Sequence, residues 1–141
     1  MQNDMTNDDQ MPDKPLVLVV DPDPDSQQVI TGLLDSRYHV IGVRSLTEAE
    51  AFLAHKIPTV LLLELDAPDG GGIAWIRRLR VSASLNNLVI VCVTHRSSVK
   101  DKVESMLAGA DDYLVKPIMQ DTFLTKIRLI QRIRQIHNNR P

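Results

Sequence analysis

Leu16–Val20 reads LVLVV, an unbroken apolar run that is followed directly by an aspartate. Similar apolar runs occur at Val60–Leu63 and Leu88–Val93. Continuous apolar runs without polar alternation are typical of strands that are buried on both faces, as in parallel sheets. Two weaker strands are predicted at Tyr38–Val43 and Asp112–Val115. The sequence therefore predicts five strands, of which the three apolar ones lie inside the sheet.

Helical patterns lie between these strands. Asp23 and Pro24 suit the cap and the first position of the first helix, and Ser45 with Glu48 has the spacing of a capping box. The first helix is predicted to bury one stripe of apolar side chains, namely Val29, Ile30, Leu33 and Leu34. Three further helices are predicted from near Gly72, Ser98 and Asp121. Alternating strands and helices indicate one α/β domain with a parallel sheet, helices on both faces and right-handed crossovers.

Length, net charge and cysteine content limit the class of protein that this chain can be. The 141 residues suffice for one domain, predicted over residues 15–136, with a disordered polar tail at 1–14 and a short C-terminal tail at 137–141. The net charge of −2 suggests no bulk attraction to nucleic acid or to membranes. No apolar run approaches the length of about 20 residues that a membrane helix needs. A single cysteine, Cys92, and the absence of a secretory signal indicate a cytoplasmic protein.

Charge is unevenly distributed along the chain. Residues 122–141 contain five basic residues and no acid, whereas residues 1–15 contain four aspartates and one lysine. The last predicted helix also continues its apolar residues through Ile133 and Ile136. This helix either pairs with a second copy or leads into an output domain outside this chain, or its arginines are simply a solvated face.

Polar residues follow four of the predicted strands. They are Asp21 and Asp23 after the first, Glu64 and Asp66 after the third, Thr94 after the fourth, and Lys116 with Pro117 after the fifth. In doubly wound sheets, ligands bind at the carboxyl ends of the strands. Carboxylates held close together repel one another unless a cation lies among them, either a divalent metal or the lysine ammonium. Singly, each residue could be an ordinary cap or surface charge, but their joint occurrence predicts a site.

Three segments resemble the receiver domain of two-component response regulators. They are Gly109–Pro117 (GADDYLVKP), Pro58–Gly70 (PTVLLLELDAPDG) and Val19–Pro24 (VVDPDP). The resemblance extends from Leu16 to about Ile136. It implies a flavodoxin-like, doubly wound sheet of five parallel strands in the order 2-1-3-4-5 with five helices.

The resemblance also implies roles for single residues. Lys116 would contact a phosphoryl group, with a cis peptide before Pro117. Thr94 would be the hydroxyl that moves toward the phosphate on activation. Tyr113 would be the aromatic switch that is buried or exposed according to Thr94. The surface from about Ser98 to Arg134 would be read by protein partners, either a sensor kinase or a downstream effector.

Three positions depart from the family pattern. Glu64 stands where the family has its phosphoacceptor aspartate, and its longer side chain reaches about 1.5 Å further. Pro22 replaces the second of two adjacent acids, and His95 replaces a small residue at the pocket mouth. The resemblance places magnesium on Asp21, Glu64 and the backbone carbonyl of Asp66, and the missing acid at Pro22 weakens this predicted site. These departures favour a receiver that is not phosphorylated and not an enzyme, in which Glu64 forms an ion pair with Lys116.

Two other functions are compatible with parts of the sequence. Asp21 and Asp23 resemble the nucleophile and acid-base pair of haloacid-dehalogenase-like phosphatases. Asp111 and Asp112 would then have to complete the site, although they precede the fifth strand, and the chain has no room for a cap domain. The other alternative is a phosphorylatable receiver that controls an output domain missing from this chain.

Overall fold

The computed structural model describes residues 14–138, which contain one five-stranded parallel sheet. The strands are β1 (Leu16–Val20), β2 (His39–Val43), β3 (Val60–Leu63), β4 (Val89–Thr94) and β5 (Asp112–Val115). Their spatial order is β2-β1-β3-β4-β5. The parallel sheet and the order implied by the family resemblance are both confirmed.

Five α-helices connect the strands and cover the sheet. They are α1 (Pro24–Leu34), α2 (Leu46–Leu53), α3 (Gly72–Val81), α4 (Val99–Ala108) and α5 (Gln120–Asn138), with a 3₁₀ turn at Ala83–Leu85. No helix within residues 14–138 is long and apolar enough to span a membrane.

The central strands are buried on both faces, as their continuous apolar runs predict. Leu18 and Val20 of β1 pack on one side with α2 and α3, including Trp75, which is 1% exposed. Val17 and Val19 pack on the other side with α1 and α5. Successive side chains of a strand point to opposite faces, so an apolar run of this kind supplies two cores at once.

The predicted helix starts are confirmed by their hydrogen bonds. The Asp23 carboxylate accepts the backbone N–H of Asp25, and the Ser45 hydroxyl accepts the backbone N–H of Glu48. The Ser98 hydroxyl caps α4, and Gly109 ends that helix with a φ of 126°, which a side chain rarely adopts. Local sequence signals therefore position the helices correctly.

Some sequence expectations need correction. Val29 is 51% exposed, whereas Ile30 and Leu34 are buried and Leu33 is half-buried against the same core. Helix α5 continues to Asn138, two residues past the predicted domain end at 136. Of the predicted tails, residues 1–13 and 139–141 lie outside the described residues. Lys14, placed in the first tail, donates through Nζ to the backbone carbonyl of Asp35 at 2.8 Å.

Candidate functional site

Four strand ends place four polar side chains in one buried cluster. Asp21 follows β1, Glu64 follows β3, Thr94 ends β4 and Lys116 follows β5. The sheet register pairs Val20 with Leu63 and Thr94 with Val115, so the residues that follow meet at the same edge. The exposed fractions are 1% for Asp21, 4% for Glu64, 0% for Thr94 and 9% for Lys116.

The Glu64 carboxylate is the centre of this cluster. Its Oε1 accepts a hydrogen bond from Lys116 Nζ at 3.0 Å. Its Oε2 accepts one from the Thr94 hydroxyl and another from the backbone N–H of Asp66 at 3.1 Å. The predicted ion pair between Glu64 and Lys116 is thus present. Every neighbour that Glu64 contacts in this way is a donor.

Lys116 is shared between two carboxylates. Its Nζ lies 2.7 Å from Asp21 Oδ2 and 3.0 Å from Glu64 Oε1. Burial by itself would lower the pKa of Lys116, but the hydrogen bonds and charges of Asp21 and Glu64 outweigh it and raise that pKa above its ordinary value. The ammonium therefore stays charged, and its positive charge offsets the repulsion between the Asp21 and Glu64 carboxylates. The peptide bond between Lys116 and Pro117 is cis, as expected from the resemblance.

The side chains of the predicted magnesium ligands Asp21 and Glu64 already accept hydrogen bonds from groups of the protein. Both oxygens of Asp21 are engaged, Oδ2 by Lys116 and Oδ1 by the backbone N–H of Asp23 at 2.9 Å. Both oxygens of Glu64 are engaged as well, and Pro22 offers no carboxylate. Among residues 14–138, no group of three His, Cys, Asp or Glu side chains is arranged to hold a metal ion. The Lys116 ammonium supplies the positive charge that the paired acids require.

Asp23 and Asp66, also predicted at this edge, lie outside the buried cluster. Asp23 caps α1 and accepts the Ser26 hydroxyl at 3.1 Å in addition to the backbone N–H of Asp25. The Asp66 carboxylate forms an ion pair with Arg96 Nε at 2.7 Å, and only its backbone N–H reaches Glu64. Of the two, Asp23 has the helix-capping role that its position before Pro24 also suggested.

Tyr113 is turned inward and is 6% exposed. Its hydroxyl donates to the backbone carbonyl of Arg96 at 2.8 Å, two residues after Thr94. Burial raises the pKa of Tyr113 to about 12, with the charge of Asp101 adding to the effect. Arg96 was not singled out from the sequence, although its position just after β4 could have indicated it. Through the Arg96 carbonyl, the Tyr113 side chain is connected to the loop that follows Thr94.

His95 is exposed at the rim of the site. It shares a cavity of about 310 Å³ with Asp23, Val29 and Lys116. The exposure of Val29 is explained by this position on the cavity wall. The cavity therefore adjoins the buried cluster at Lys116, and His95 is an exposed part of its lining.

A second ion-pair cluster lies at the amino end of β5. The Asp111 carboxylate accepts Arg80 Nη2 at 2.9 Å, Arg134 Nη1 at 2.8 Å and the backbone N–H of Ile90 at 2.8 Å. Asp111 therefore has a structural role at the opposite end of the sheet from Asp21. This placement does not favour the phosphatase alternative, which needs both residues in one site.

Asp69 is a further residue that sequence reasoning missed. Its carboxylate accepts the backbone N–H groups of Leu46 and Thr47 at 3.0 and 2.9 Å, and the Thr47 hydroxyl at 2.7 Å. It thereby caps α2 from the loop after β3. These hydrogen bonds, with that of the Thr47 hydroxyl foremost, lower the pKa of Asp69 to about 2.

The fold and the buried acid–lysine–hydroxyl cluster define a signalling receiver, and the match to known families agrees. Residues 17–128 match the family model described as the response regulator receiver domain. The chain therefore belongs to the response regulator receiver domain family of two-component signalling.

Among curated proteins, the chain is similar to the transcriptional regulatory protein PhoP of Escherichia coli (strain K12). The two are 34% identical over 98 residues, which is 70% of this chain and 43% of that protein. The chain thus spans less than half the length of this relative.

Solved structures show the same fold. The beryllofluoride-activated NtrC4 receiver domain dimer matches with a TM-score of 0.78 and 27% identity, covering 84% of this chain and 98% of that one. A CheY-like receiver domain protein from Methanospirillum hungatei JF-1 matches with a TM-score of 0.80 and 22% identity, covering 88% and 98%. The second likeness concerns the fold alone.

Proposed function

We propose that this chain is a phosphorylation-independent receiver, in which the Glu64 carboxylate stands in for a phosphorylated aspartate. The observation that carries the proposal is the pair of hydrogen bonds that Glu64 accepts from Thr94 and Lys116. These are the two residues that the family resemblance assigns to contact with a phosphoryl group. Because the Glu64 carboxylate already accepts hydrogen bonds from Thr94 and Lys116, neither residue needs a phosphoryl group as its partner.

The contacts favour an activated-like state. The Thr94 hydroxyl is turned toward Glu64, and Tyr113 is buried beneath the loop that follows Thr94. In the family pattern these two positions move together, with the aromatic side chain inward when the hydroxyl approaches the phosphate. A permanent carboxylate at residue 64 would hold this arrangement without any signal from a kinase.

The same geometry disfavours transfer of a phosphoryl group to Glu64. Both carboxylate oxygens accept hydrogen bonds, which lowers their nucleophilicity and fixes the direction of the carboxylate. Misplacement by the length of one methylene is costly for such a reaction. The metal that would neutralise the donor's charge has no carboxylate at Pro22 to hold it. The proposal therefore includes the absence of enzymatic phosphate turnover.

The signal would be read through contacts with protein partners of the cytoplasm. Apolar side chains are exposed along α4, β5 and the loop before α5, namely Val99, Val103, Leu107, Val115 and Met119. We define these five residues as the output face. Exposed apolar side chains grouped in this way are typical of protein interaction surfaces. A sensor kinase or a downstream effector remains the proposed class of partner.

A homodimer through α5 is the second part of the proposal. Leu129, Ile133 and Ile136 are 52%, 58% and 61% exposed and follow one another at helical spacing along α5. Such a stripe suits pairing with another helix. Sedimentation of the full chain should show a dimer, and changing these three residues to Ser should give a monomer. A monomeric native chain at micromolar concentration would refute this part.

The central proposal is tested by incubating the full chain with acetyl phosphate and magnesium and measuring the intact mass. The native chain should gain no phosphoryl group and should hydrolyse no generic phosphatase substrate. The matched variant, Glu64→Asp combined with Pro22→Asp, restores the acids of the family pattern and should gain one. A stable phosphoryl adduct on Glu64 of the native chain would overturn the proposal.

A further inference from the structure

A cavity of about 490 Å³ lies between the loop after α1 and the outer side of α5, away from the buried cluster. Three arginines line it, Arg37 from the loop and Arg128 and Arg132 from α5. All three are exposed. The Tyr38 hydroxyl, which donates to Gln131 at 2.7 Å, lies at the inner wall. We refer to this site as the arginine cavity.

The arginine cavity carries positive charge without a partner among the residues that the structure describes. No carboxylate in that part of the chain lies within 4.0 Å of Arg37, Arg128 or Arg132. Arg134 of the same helix, by contrast, forms an ion pair with Asp111. Three guanidinium groups around one cavity form a ready site for carboxylates or phosphates.

Acidic residues of this chain lie next to the cavity in sequence. Residues 1–13 contain four aspartates and no basic residue, namely Asp4, Asp8, Asp9 and Asp13. Pro15, two residues after Asp13, lines the cavity. Lys14, between Asp13 and Pro15, donates a hydrogen bond to the carbonyl of Asp35 and so holds the chain close to the cavity. We refer to residues 1–13 as the acidic segment.

We propose that the arginine cavity is a docking site for the acidic segment of the same chain. The segment would place its aspartates on Arg37, Arg128 and Arg132 and would compete there with any external anionic ligand. This interaction is separate from the Glu64 cluster and does not depend on how that cluster signals.

Reach and affinity are adequate for this contact. Each residue spans up to about 3.3 Å, so every aspartate of the segment can reach a cavity that begins at Pro15. Tethering a short segment to the domain gives it an effective concentration in the millimolar range. An exposed ion pair typically favours contact by about 1.4- to 5-fold. Three such independent pairs predict at least about a threefold enrichment of the segment at the cavity when salt is low.

The test uses a nitroxide spin label on Asn7→Cys in the full chain. The native Cys92 is 0% exposed and will not react, so only the new cysteine is labelled. Backbone NMR signals of Arg37, Arg128 and Arg132 should broaden in about 0.01 M salt, where charges act over about 30 Å. The broadening should decrease strongly in about 1 M salt, where that distance is about 3 Å.

Two variants separate docking from mere proximity of the label. Changing the four aspartates to Asn keeps the segment and its length, and should reduce the broadening to the level seen in high salt. Changing Arg128 and Arg132 to Gln should do the same. The control is Arg77→Gln with Arg78→Gln, which removes equal charge from exposed positions on α3, across the sheet, and should have no effect.

Two results would overturn the proposal. One is equal broadening with the native and the neutral segment, which would leave only the proximity of residue 7. The other is broadening that appears when spin-labelled protein is mixed with isotope-labelled protein lacking the label, which would assign the cavity to a second copy. Salt-sensitive broadening within one chain supports docking of the acidic segment if it is lost both when the four aspartates are changed to Asn and when Arg128 and Arg132 are changed to Gln.

Discussion

Glu64→Gln is the most informative single change, because it keeps the size of the side chain and removes only its charge and one acceptor. The three groups that hydrogen-bond to Glu64 are all donors, namely Lys116 Nζ, the Thr94 hydroxyl and the backbone N–H of Asp66. A carboxylate can accept all three. An amide has only one oxygen, so its NH₂ group must face Lys116 or Asp66 in either orientation.

The expected loss of stability follows from the distances. At 3.0 Å and an effective dielectric constant of about 20, the attraction between Glu64 and Lys116 is about 5.5 kcal/mol. The variant also relieves repulsion between Glu64 and Asp21, whose oxygens lie at most about 5.7 Å apart, given their distances of 3.0 and 2.7 Å from Lys116. That repulsion is about 3 to 4 kcal/mol at the same dielectric constant. Attraction exceeds repulsion, and we expect the free energy of unfolding to fall by about 2 kcal/mol.

Urea denaturation followed by tryptophan fluorescence measures this change. Trp75 is the only tryptophan and is 1% exposed, so its emission reports loss of the core. With a slope of about 2 kcal/mol per molar urea, the midpoint should move down by about 1 M. The control is Glu104→Gln on the exposed side of α4, which should change the free energy of unfolding by less than about 0.5 kcal/mol.

An unchanged or higher midpoint for Glu64→Gln would refute this reasoning. It would mean that the free-energy cost of burying the Glu64 charge equals or exceeds the stabilisation from the Lys116 ammonium and the other hydrogen-bond donors. The carboxylate could then not be what holds Thr94 and Tyr113 in place. A changed slope would instead indicate a different unfolded or native state, and the midpoint comparison would no longer apply.

Three further predictions concern other residues. The pKa of Asp69 is lowered to about 2, so its contribution to stability is present above pH 4 and lost as the pH falls toward 2; acid titration of Asp69→Asn should lack that part of the slope. Asp111→Asn leaves two partly buried guanidinium groups without their acid and should cost about 2 kcal/mol or more in urea denaturation, whereas Asp112→Asn, next to it, should cost less than about 1 kcal/mol. Ultraviolet absorbance should show the Tyr113 hydroxyl ionising near pH 12, and its contribution to stability should be intact below pH 10 and lost as the pH rises from 10 to 12. Glu64→Ala should release the Tyr113 side chain outward and shift the ionisation midpoint toward pH 10.

Local signals explain the parts of the fold that the sequence predicted. Apolar runs such as Leu16–Val20 indicate buried strands, because a strand with polar residues on neither face needs cover on both. Asp23, Ser45 and Ser98 were recognisable as caps, because a cap acts on residues only two or three positions away. Val29 shows the limit of such signals, since its exposure depends on the cavity near Lys116 rather than on the helix pattern.

The candidate site was predictable in its members but not in all of its contacts. Strand-end position was enough to bring Asp21, Glu64, Thr94 and Lys116 to one edge, and the Glu64–Lys116 pair was expected. The sharing of Lys116 between two acids depended on distances that only the packed sheet defines. The inward position of Tyr113 similarly depends on the backbone of Arg96.

The sequence alone determined the α/β architecture, the helix starts and the set of polar residues at the carboxyl edge, because these follow from periodicity, caps and chain order. Tertiary structure alone decided that Asp69 caps α2, that Asp111 joins two arginines, and that three arginines with no ion-pair partner among residues 14–138 surround one cavity. The physical reason is separation along the chain. Contacts between residues some twenty to ninety positions apart depend on how the crossovers and helices pack, and no local pattern records that geometry.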